Sequence, residues 1–180
     1  FLEQELGPHA SVLVLTADHV IRPLERFTAD AAVATALAAD GYLVTFGITP
    51  TRPETGYGYI QAGDALAAGL VVDAFREKPD LATAEEYLRR GNFYWNSGMF
   101  VFTLGRFRDE LRAHEPEIAQ SFDQADAGLR AIGRPDGARA TDPDALRAVY
   151  EQLPKISIDY AVMERSSRVA VVPASFAWND

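Results

Sequence analysis

Cysteine is absent from the 180-residue sequence, which excludes disulfide bonds, thiolate metal ligands and a cysteine nucleophile. The absence also fits a protein of the reducing cytoplasm, where we expect this one to work. Histidine is scarce as well. There are three histidines and no closely spaced pair, so we do not expect a zinc site.

Basic residues are few relative to acidic ones. The sequence has 17 Lys and Arg residues against 26 Asp and Glu residues, a formal net charge of −9. A nucleic-acid partner needs a basic face, so this balance argues against one. An anionic substrate would have to be held by a few placed cations or by a bound metal. No apolar run approaches the roughly 18 residues of a membrane span, and no signal peptide is visible, so we expect no membrane partner.

Apolar residues make up 48% of the chain, enough for one domain, 1–180, with a substantial core. Val12–Leu15 is a continuous apolar run, which predicts a strand buried on both faces, as in a parallel sheet. The Ala-rich segment "FTADAAVATALAADG" predicts a helix with Thr28 as its N-cap and Gly41 just past its end. Tyr42–Ile48 predicts a second strand. This order predicts an α/β unit with a right-handed crossover.

Further elements follow the same alternation. Leu70–Phe75 predicts a strand, Gly91 ends a short helix, and Met99–Thr103 predicts another strand. "RFRDELRAHEPEIAQSFDQA" predicts one long helix, and the Gly-, Pro-, Arg- and Asp-rich stretch Gly128–Pro143 predicts a mobile surface loop. Two short helices, "DALRAVYEQL" and "SIDYAVMERS", and a last strand, "RVAVVPA", complete the pattern.

Polar residues that follow strands are the candidates for function, because ligands in open α/β sheets bind beyond the carboxyl ends of the strands. Asp18 follows "VLVL" and offers a carboxylate suited to Mg²⁺, although an Asp here could also cap a turn. His19 alone indicates at most a supporting or structural role. Asp180 follows the last strand and an aromatic pair, and by itself it indicates little.

Two loops could bind a sugar phosphate. In "ETGYGYI", Gly56 and Gly58 allow close backbone approach to a ligand, although such loops are often simple hairpin turns. The loop matches neither a Walker A motif nor a dinucleotide fingerprint. In "REKPD", Glu77 could accept from sugar hydroxyls and Lys78 could meet a phosphate. The alternative is a surface ion pair worth at most about 1 kcal/mol.

The stretch "NFYWNSGMF" places a small polar turn, Asn96–Gly98, between aromatic residues. The Asn96 amide offers donors and an acceptor for vicinal hydroxyls, and the aromatics offer an apolar wall. The alternative is an aromatic core beside a structural turn. We expect Phe93 and Phe100 to be core and only Tyr94 or Trp95 to face a sugar.

Six motifs in one order give the chain its resemblance: "LTADHVI", "TFGITPTRPETGYGYI", "FREKPD", "NFYWNSGMFVF", "ISIDYAVME" and "FAWND". From about Val12 to Asp180 the sequence resembles the mannose-1-phosphate guanylyltransferases. The resemblance implies a Rossmann-like nucleotidyltransferase fold with a mixed, mostly parallel sheet flanked by helices. It also implies Mg²⁺-dependent transfer of GMP from GTP to mannose 1-phosphate, which yields GDP-mannose and pyrophosphate. Family members often form a homodimer.

The resemblance assigns roles to individual residues. It implies that the metal is held by Asp18 and Asp180, and that Lys78 lies at the sugar phosphate. The residues that it places around the sugar are Gly58, Glu77, Asn96 and, with weaker support from the motif, Asp159.

The chain also departs from the family pattern. Thr16 stands where the family usually has Pro, a change that we expect to be harmless. The family's Gly-rich, Arg-containing nucleotide loop and the strand before it do not occur in this sequence, and neither does the segment that normally follows "FAWND". We therefore expect these 180 residues to be an incomplete piece, inactive alone, with an exposed sheet edge.

Two alternatives remain open. One is a related nucleotidyltransferase with another sugar or another base. The other is a non-catalytic regulatory subunit of the same fold that senses sugar nucleotides. The presence of Asp18, Lys78 and Asp180 argues against the second, because a sensor need not keep a metal pair.

Overall fold

The computed structural model describes residues 2–128, 132–133, 139–140 and 143–180. The helices are α1 (Leu2–Leu6), α2 (Leu24–Ala39), α3 (Leu81–Arg90), α4 (Leu104–His114), α5 (Pro116–Gly128) and α6 (Pro143–Gln152), with a π-helical turn at Asp159–Met163. The strands are β1 (Ser11–Val14), β2 (Val20–Arg22), β3 (Leu43–Ile48), β4 (Tyr59–Ala65), β5 (Leu70–Arg76), β6 (Phe93–Thr103), β7 (Ile132–Gly133), β8 (Arg139–Ala140), β9 (Val169–Pro173) and β10 (Ala177–Asn179).

Six strands form the central sheet in the order β1-β6-β3-β9-β5-β4, and β4 also pairs with the first part of β6. The expected mixed sheet is confirmed, but "mostly parallel" is wrong for neighbouring strands. Among the described strands, only β3 and β9 pair in parallel. The reason is that β6 inserts antiparallel between β1 and β3, which themselves run in the same direction, as the strand–helix–strand pattern predicted.

Helical segments cover both faces of the sheet. On one face, Phe27 and Leu37 of α2 pack against Val44 and Phe46 of β3. On the other face, the π-helical turn and α4 pack against residues of β6 and β9 such as Phe102. This layering buries the middle of the sheet and leaves its ends and loops to carry polar groups.

The first strand differs from its prediction. β1 pairs with β6 along one side only, and its other side is an edge of the sheet. Leu13 and Val14 are each 39% exposed, so the apolar run is not buried on both faces. The apolar run thus predicted the strand but not its place at an edge.

The ends of α2 test the capping predictions. Gly41 adopts a φ of 87° just past the helix, as predicted. Thr28 is not the N-cap, because α2 begins at Leu24 and the Thr28 hydroxyl donates to the Leu24 carbonyl within the helix at 3.0 Å. The residue at the N-cap is Pro23, which makes no side-chain cap hydrogen bond, so the true start of the helix lacked a capping signal.

Two further segments differ from expectation. The predicted long helix is two helices, α4 and α5, because Pro116 occupies the first position of a new helix. The expected turn Asn96–Gly98 lies inside the continuous strand β6.

Most of the loop expected over 128–143 lies outside the described residues, and of its described parts β7 and β8 pair antiparallel. No helix in the described part of the chain is long and apolar enough to cross a bilayer.

Candidate functional site

Four of the sequence-predicted sugar residues come together from four separate elements. Gly58 directly precedes β4, Glu77 follows β5, Asn96 lies within β6, and Asp159 begins the π-helical turn. Strand pairing causes the meeting: β4 lies beside both β5 and the first part of β6, and the Asn96 backbone N–H donates to the Gly58 carbonyl at 2.8 Å. We call these four residues the sugar cluster.

The Asn96 side chain is fixed at both ends of its amide. Its Nδ2 donates to Oδ1 of Asp159 at 3.0 Å. Its Oδ1 accepts from the Thr45 hydroxyl at 2.9 Å and from the Gly98 backbone N–H at 3.2 Å. The amide therefore has one N–H left for a ligand, and its oxygen already has two protein donors.

Glu77 lies directly over Gly58. A Cβ on Gly58 would come within 2.5 Å of the Glu77 Oε2 atom, so the absence of a side chain at Gly58 leaves room for the carboxylate in its present position. The Glu77 backbone N–H donates to Oε1 of Glu164, just after the π-helical turn, at 3.0 Å. Loop and turn thus hold Glu77 in a half-buried position where it can accept hydrogen bonds from a ligand's hydroxyl groups.

Lys78 lies at the solvent side of the cluster. Its Nζ is 3.1 Å from Glu77 Oε1, and its side chain is 61% exposed against 11% for Glu77. The hydrogen bond and charge of Glu77 raise the pKa of Lys78, so the ammonium stays charged at neutral pH. Its φ of 45° is in the left-handed region, which is uncommon for a residue with a side chain. The exposed, charged side chain is open to an anionic group that enters from solvent.

The pKa of Asp159 is controlled mainly by burial, whereas that of Lys78 is controlled mainly by its partner Glu77. Burial is the main cause that raises the pKa of the Asp159 carboxyl group, and the nearby charge of Glu77 adds to the effect. The hydrogen bond from Asn96 partly offsets this shift by favouring the ionised form. The site therefore holds two neighbouring carboxyl groups, and their repulsion falls when hydroxyl groups or a cation enter between them.

A second group of residues lies where the antiparallel strands β2 and β10 pair, with Asn179 opposite Val20. The Trp178 indole Nε1–H donates to Nδ1 of His19 at 2.9 Å. His19 Nε2 lies 3.4 Å from Oδ1 of Asp180. Asp18 precedes β2 by two positions, so the pairing brings both predicted metal residues to the same end of this small sheet.

Aromatic contacts connect the two groups. The Tyr57 ring packs edge to face on Trp95 at 5.3 Å between ring centroids and on Trp178 at 5.4 Å. Burial, followed by the charge of Asp180, raises the pKa of Tyr57, which places that carboxylate near the tyrosine. Trp95 is 4% exposed and lies beneath Tyr57, so it is core, as Phe93 and Phe100 were predicted to be. Tyr94 is half-buried and also packs against a core cluster.

The donor set of Asp18 and Asp180 fits a magnesium ion. Magnesium is typically held by one or two carboxylates together with substrate phosphates. Both side chains lie on exposed residues at one end of the β2–β10 pair, open to such a substrate. Within the described residues no group of three or more His, Asp or Glu side chains is placed to hold a metal by itself.

Sequence reasoning missed Thr45, Tyr57, Trp178 and Glu164. Thr45 is polar within an otherwise apolar strand, "LVTFGI", and is fully buried. That polar residue in an apolar run was the one available signal, because a buried hydroxyl needs a partner. Tyr57 and Trp178 gave only an aromatic signal that is equally typical of core.

The whole chain, residues 1–180, matches the family model described as nucleotidyl transferase. The xanthan biosynthesis protein XanB of Xanthomonas campestris pv. campestris is 49% identical over 175 residues, which cover 97% of this chain and 36% of that protein. The mannose-1-phosphate guanylyltransferase of Escherichia coli is 42% identical, over 94% of this chain and 35% of the relative. The chain thus spans about a third of the length of these relatives.

A solved structure is also similar. The crystal structure of a protein named mannose-1-phosphate geranyltransferase, from Thermus thermophilus, aligns with a TM-score of 0.84 and 36% sequence identity. The alignment covers 99% of this chain and 48% of that one. The agreement extends over nearly all of the elements described above.

Proposed function

The chain belongs to the nucleotidyl transferase family, and we propose that it provides the sugar-phosphate and metal side of an enzyme that transfers GMP from GTP to mannose 1-phosphate. GDP-mannose and pyrophosphate are the products of this reaction. Because the chain spans about a third of its curated relatives, the activity is proposed for the full-length gene product. We propose that it works in the cytoplasm, which the lack of cysteine fits.

The sugar cluster is the observation that supports this proposal. It presents the carboxylates of Glu77 and Asp159 and one free N–H of Asn96, with the charged Lys78 at its solvent side. A hexose needs acceptors for its hydroxyl groups, and its 1-phosphate needs a cation at the mouth of the pocket. Mannose-1-phosphate guanylyltransferase, the name of several relatives, describes a protein with such a substrate.

The proposed chemistry needs no general base from the protein. A phosphate oxygen of the sugar phosphate attacks the α-phosphorus of GTP, and pyrophosphate leaves. The second pKa of a phosphomonoester is about 6, so the nucleophile is already largely ionised at neutral pH. What the reaction needs is alignment of two anions against their mutual repulsion.

In this proposal the chain's own residues supply that alignment. Glu77 and Asp159 hold the sugar hydroxyls, and Lys78 neutralises the attacking phosphate. Asp18 and Asp180 would hold Mg²⁺, which when bound neutralises phosphate charge. His19 and Trp178 keep Asp180 oriented through contacts within the β2–β10 pair.

The test is an activity assay on the full-length gene product with GTP, mannose 1-phosphate and Mg²⁺. We expect GDP-mannose and pyrophosphate in equal amounts. Parallel reactions with ATP or UTP, and with glucose 1-phosphate, separate this activity from transfer with another base or sugar. Tight binding of GDP-mannose without any product formation would instead support a sensing subunit. Sedimentation of the same sample tests the homodimer that the resemblance implies.

A further inference from the structure

Thr45 is one of three fully or nearly fully buried polar residues among those described, with Ser97 and Glu110. Its hydroxyl lies 2.9 Å from Asn96 Oδ1 and 3.1 Å from the Met99 carbonyl oxygen. A hydroxyl has one proton, and we assign it to the shorter contact, the one to Asn96 Oδ1. Thr45 is thus a donor inside the core, directly behind the sugar cluster.

The neighbouring backbone decides which end of the Asn96 amide faces Thr45. The Gly98 N–H, which can only donate, also points to Asn96 Oδ1 at 3.2 Å. A flipped amide would set NH₂ hydrogens against this N–H, and it would set its oxygen against the Asp159 carboxyl group. The oxygen therefore faces Thr45 and Gly98, and Nδ2 faces Asp159.

The strands are irregular at this point, which makes the arrangement possible. Thr45 pairs with Phe100, but Gly47 pairs with Asn96, so the β3–β6 register shifts between them. Gly98 lies within the shifted segment with a φ of 70°, which turns its N–H back toward Asn96. A β-bulge of this kind re-aims side chains next to functional sites.

We propose that Thr45 is a positioning residue for the sugar side of the site, which acts by holding the Asn96 amide with its N–H groups toward Asp159 and the ligand. The inference rests on the proposed function, since it assigns Thr45 to recognition of the sugar hydroxyls. Thr45 does not touch the substrate. Because it acts through Asn96 of the sugar cluster, loss of its hydroxyl should raise the KM for mannose 1-phosphate and leave the KM for GTP unchanged.

The experiment compares Thr45→Val, which keeps the shape and removes the hydroxyl, with Thr45→Ser, which keeps the hydroxyl. Steady-state kinetics of the full-length gene product give kcat and the KM of each substrate. Loss of one neutral hydrogen bond predicts a roughly three- to tenfold higher KM for mannose 1-phosphate in Thr45→Val. The KM for GTP should stay at the wild-type value, and Thr45→Ser should restore most of the loss.

Thr35→Val is the matched control, because the Thr35 hydroxyl donates to the Ala31 carbonyl within α2, away from the site. Its KM values should equal those of the wild type. Equal changes in both KM values of Thr45→Val, or no change in either, would overturn the proposal.

A second measurement does not depend on turnover. The side-chain amide ¹⁵N–¹H signals of Asn96 should shift in Thr45→Val and return in Thr45→Ser. If the wild type makes no GDP-mannose, the proposed function fails. The Asn96 signals then remain as the test of whether Thr45 orients the amide. An Asn96 signal that is unchanged in Thr45→Val overturns its orienting role.

Discussion

Trp178 donates its indole N–H to Nδ1 of His19 across the β2–β10 pair, at 2.9 Å. Because an indole nitrogen can only donate, Nδ1 must be the unprotonated nitrogen of a neutral imidazole. The ring proton is then on Nε2, which lies 3.4 Å from Asp180 Oδ1. A tryptophan thus fixes the tautomer of a histidine that faces a proposed metal residue, as the neighbours of metal ligands often do.

Replacing Trp178 by Phe removes the donor and keeps an aromatic ring beside His19 and Tyr57. We expect about tenfold weaker apparent affinity for Mg²⁺, with the KM for mannose 1-phosphate unchanged, because only the orientation of Asp180 is released. The Mg²⁺ dependence of turnover and direct Mn²⁺ binding followed by EPR measure this. Wild-type affinity for both ions would show that the His19 tautomer has no bearing on the metal.

Asp18→Ala and Asp180→Ala each remove one proposed metal ligand. We expect turnover to fall by roughly a hundredfold or more in each, because the charge of the transferred phosphates is then left unscreened. Mn²⁺ binding should fall in parallel. Asp64→Ala is the control, since Asp64 is an exposed carboxylate on β4. Near wild-type GDP-mannose formation in either site variant would refute the metal assignment.

Gly58→Ala would place a methyl group 2.5 Å from Glu77 Oε2. The carboxylate must then move, and a displacement of about 1 Å in a positioning group can cost up to about a hundredfold in rate. We expect a large loss of kcat/KM for mannose 1-phosphate. In the control Gly56→Ala, the new methyl meets only the Glu54 side chain at 3.3 Å, and activity should be close to wild type.

Lys78→Met keeps the length of the side chain and removes its charge. A charge-assisted contact to a phosphate implies a KM for mannose 1-phosphate that is roughly ten- to a hundredfold higher. The KM for GTP should change far less. The chain's other lysine, Lys155, is exposed, so Lys155→Met is the matched control. An unchanged KM in Lys78→Met would place the sugar phosphate elsewhere.

Asp159→Asn should stabilise the protein at neutral pH while it lowers activity. Burial raises the pKa of Asp159 in the folded state above its unfolded value. The stability contributed by this group is therefore complete below the unfolded pKa of about 3.9 and is lost as pH rises through the folded pKa. Asparagine cannot ionise and still offers an oxygen to Asn96 Nδ2.

Urea unfolding of wild type and Asp159→Asn, at about pH 7 and about pH 4, measures the effect, because the lower pH is close to the unfolded pKa, where the stability contributed by Asp159 is largely retained. The stability advantage of the variant should be larger at the higher pH. If the variant is more stable than wild type by the same amount at both pH values, ionisation of Asp159 is not the cause of the difference.

Local sequence signals predicted elements that form from their own residues. Gly41 and Gly91 were correctly placed past the ends of helices, because the left-handed conformation at a helix end depends on the residue itself. Leu70–Phe75 and Tyr42–Ile48 were correctly predicted as strands from their apolar runs. The family motifs also led to the residues that meet in the sugar cluster.

Features that depend on distant partners were not predictable in this way. Asn96–Gly98 has the composition of a turn, yet pairing of Asn96 with Gly47 of β3, after the pairing of Phe93–Trp95 with β4, keeps it in strand β6. The edge position of β1 follows from β6, whose residues lie far along the chain. The pairing of β2 with β10 joins segments that no local pattern connects.

The sequence by itself determined which chemical groups this protein has: two aspartates that follow apolar segments, one lysine beside a glutamate, and one amide among aromatics. Only the tertiary structure decided which atoms of those groups remain free. The oxygen of Asn96 is occupied by Thr45, 51 residues away, and its nitrogen bonds to Asp159, 63 residues away. Hydrogen bonds between such distant residues exist only once the strands have paired, so no local pattern in the sequence reveals them.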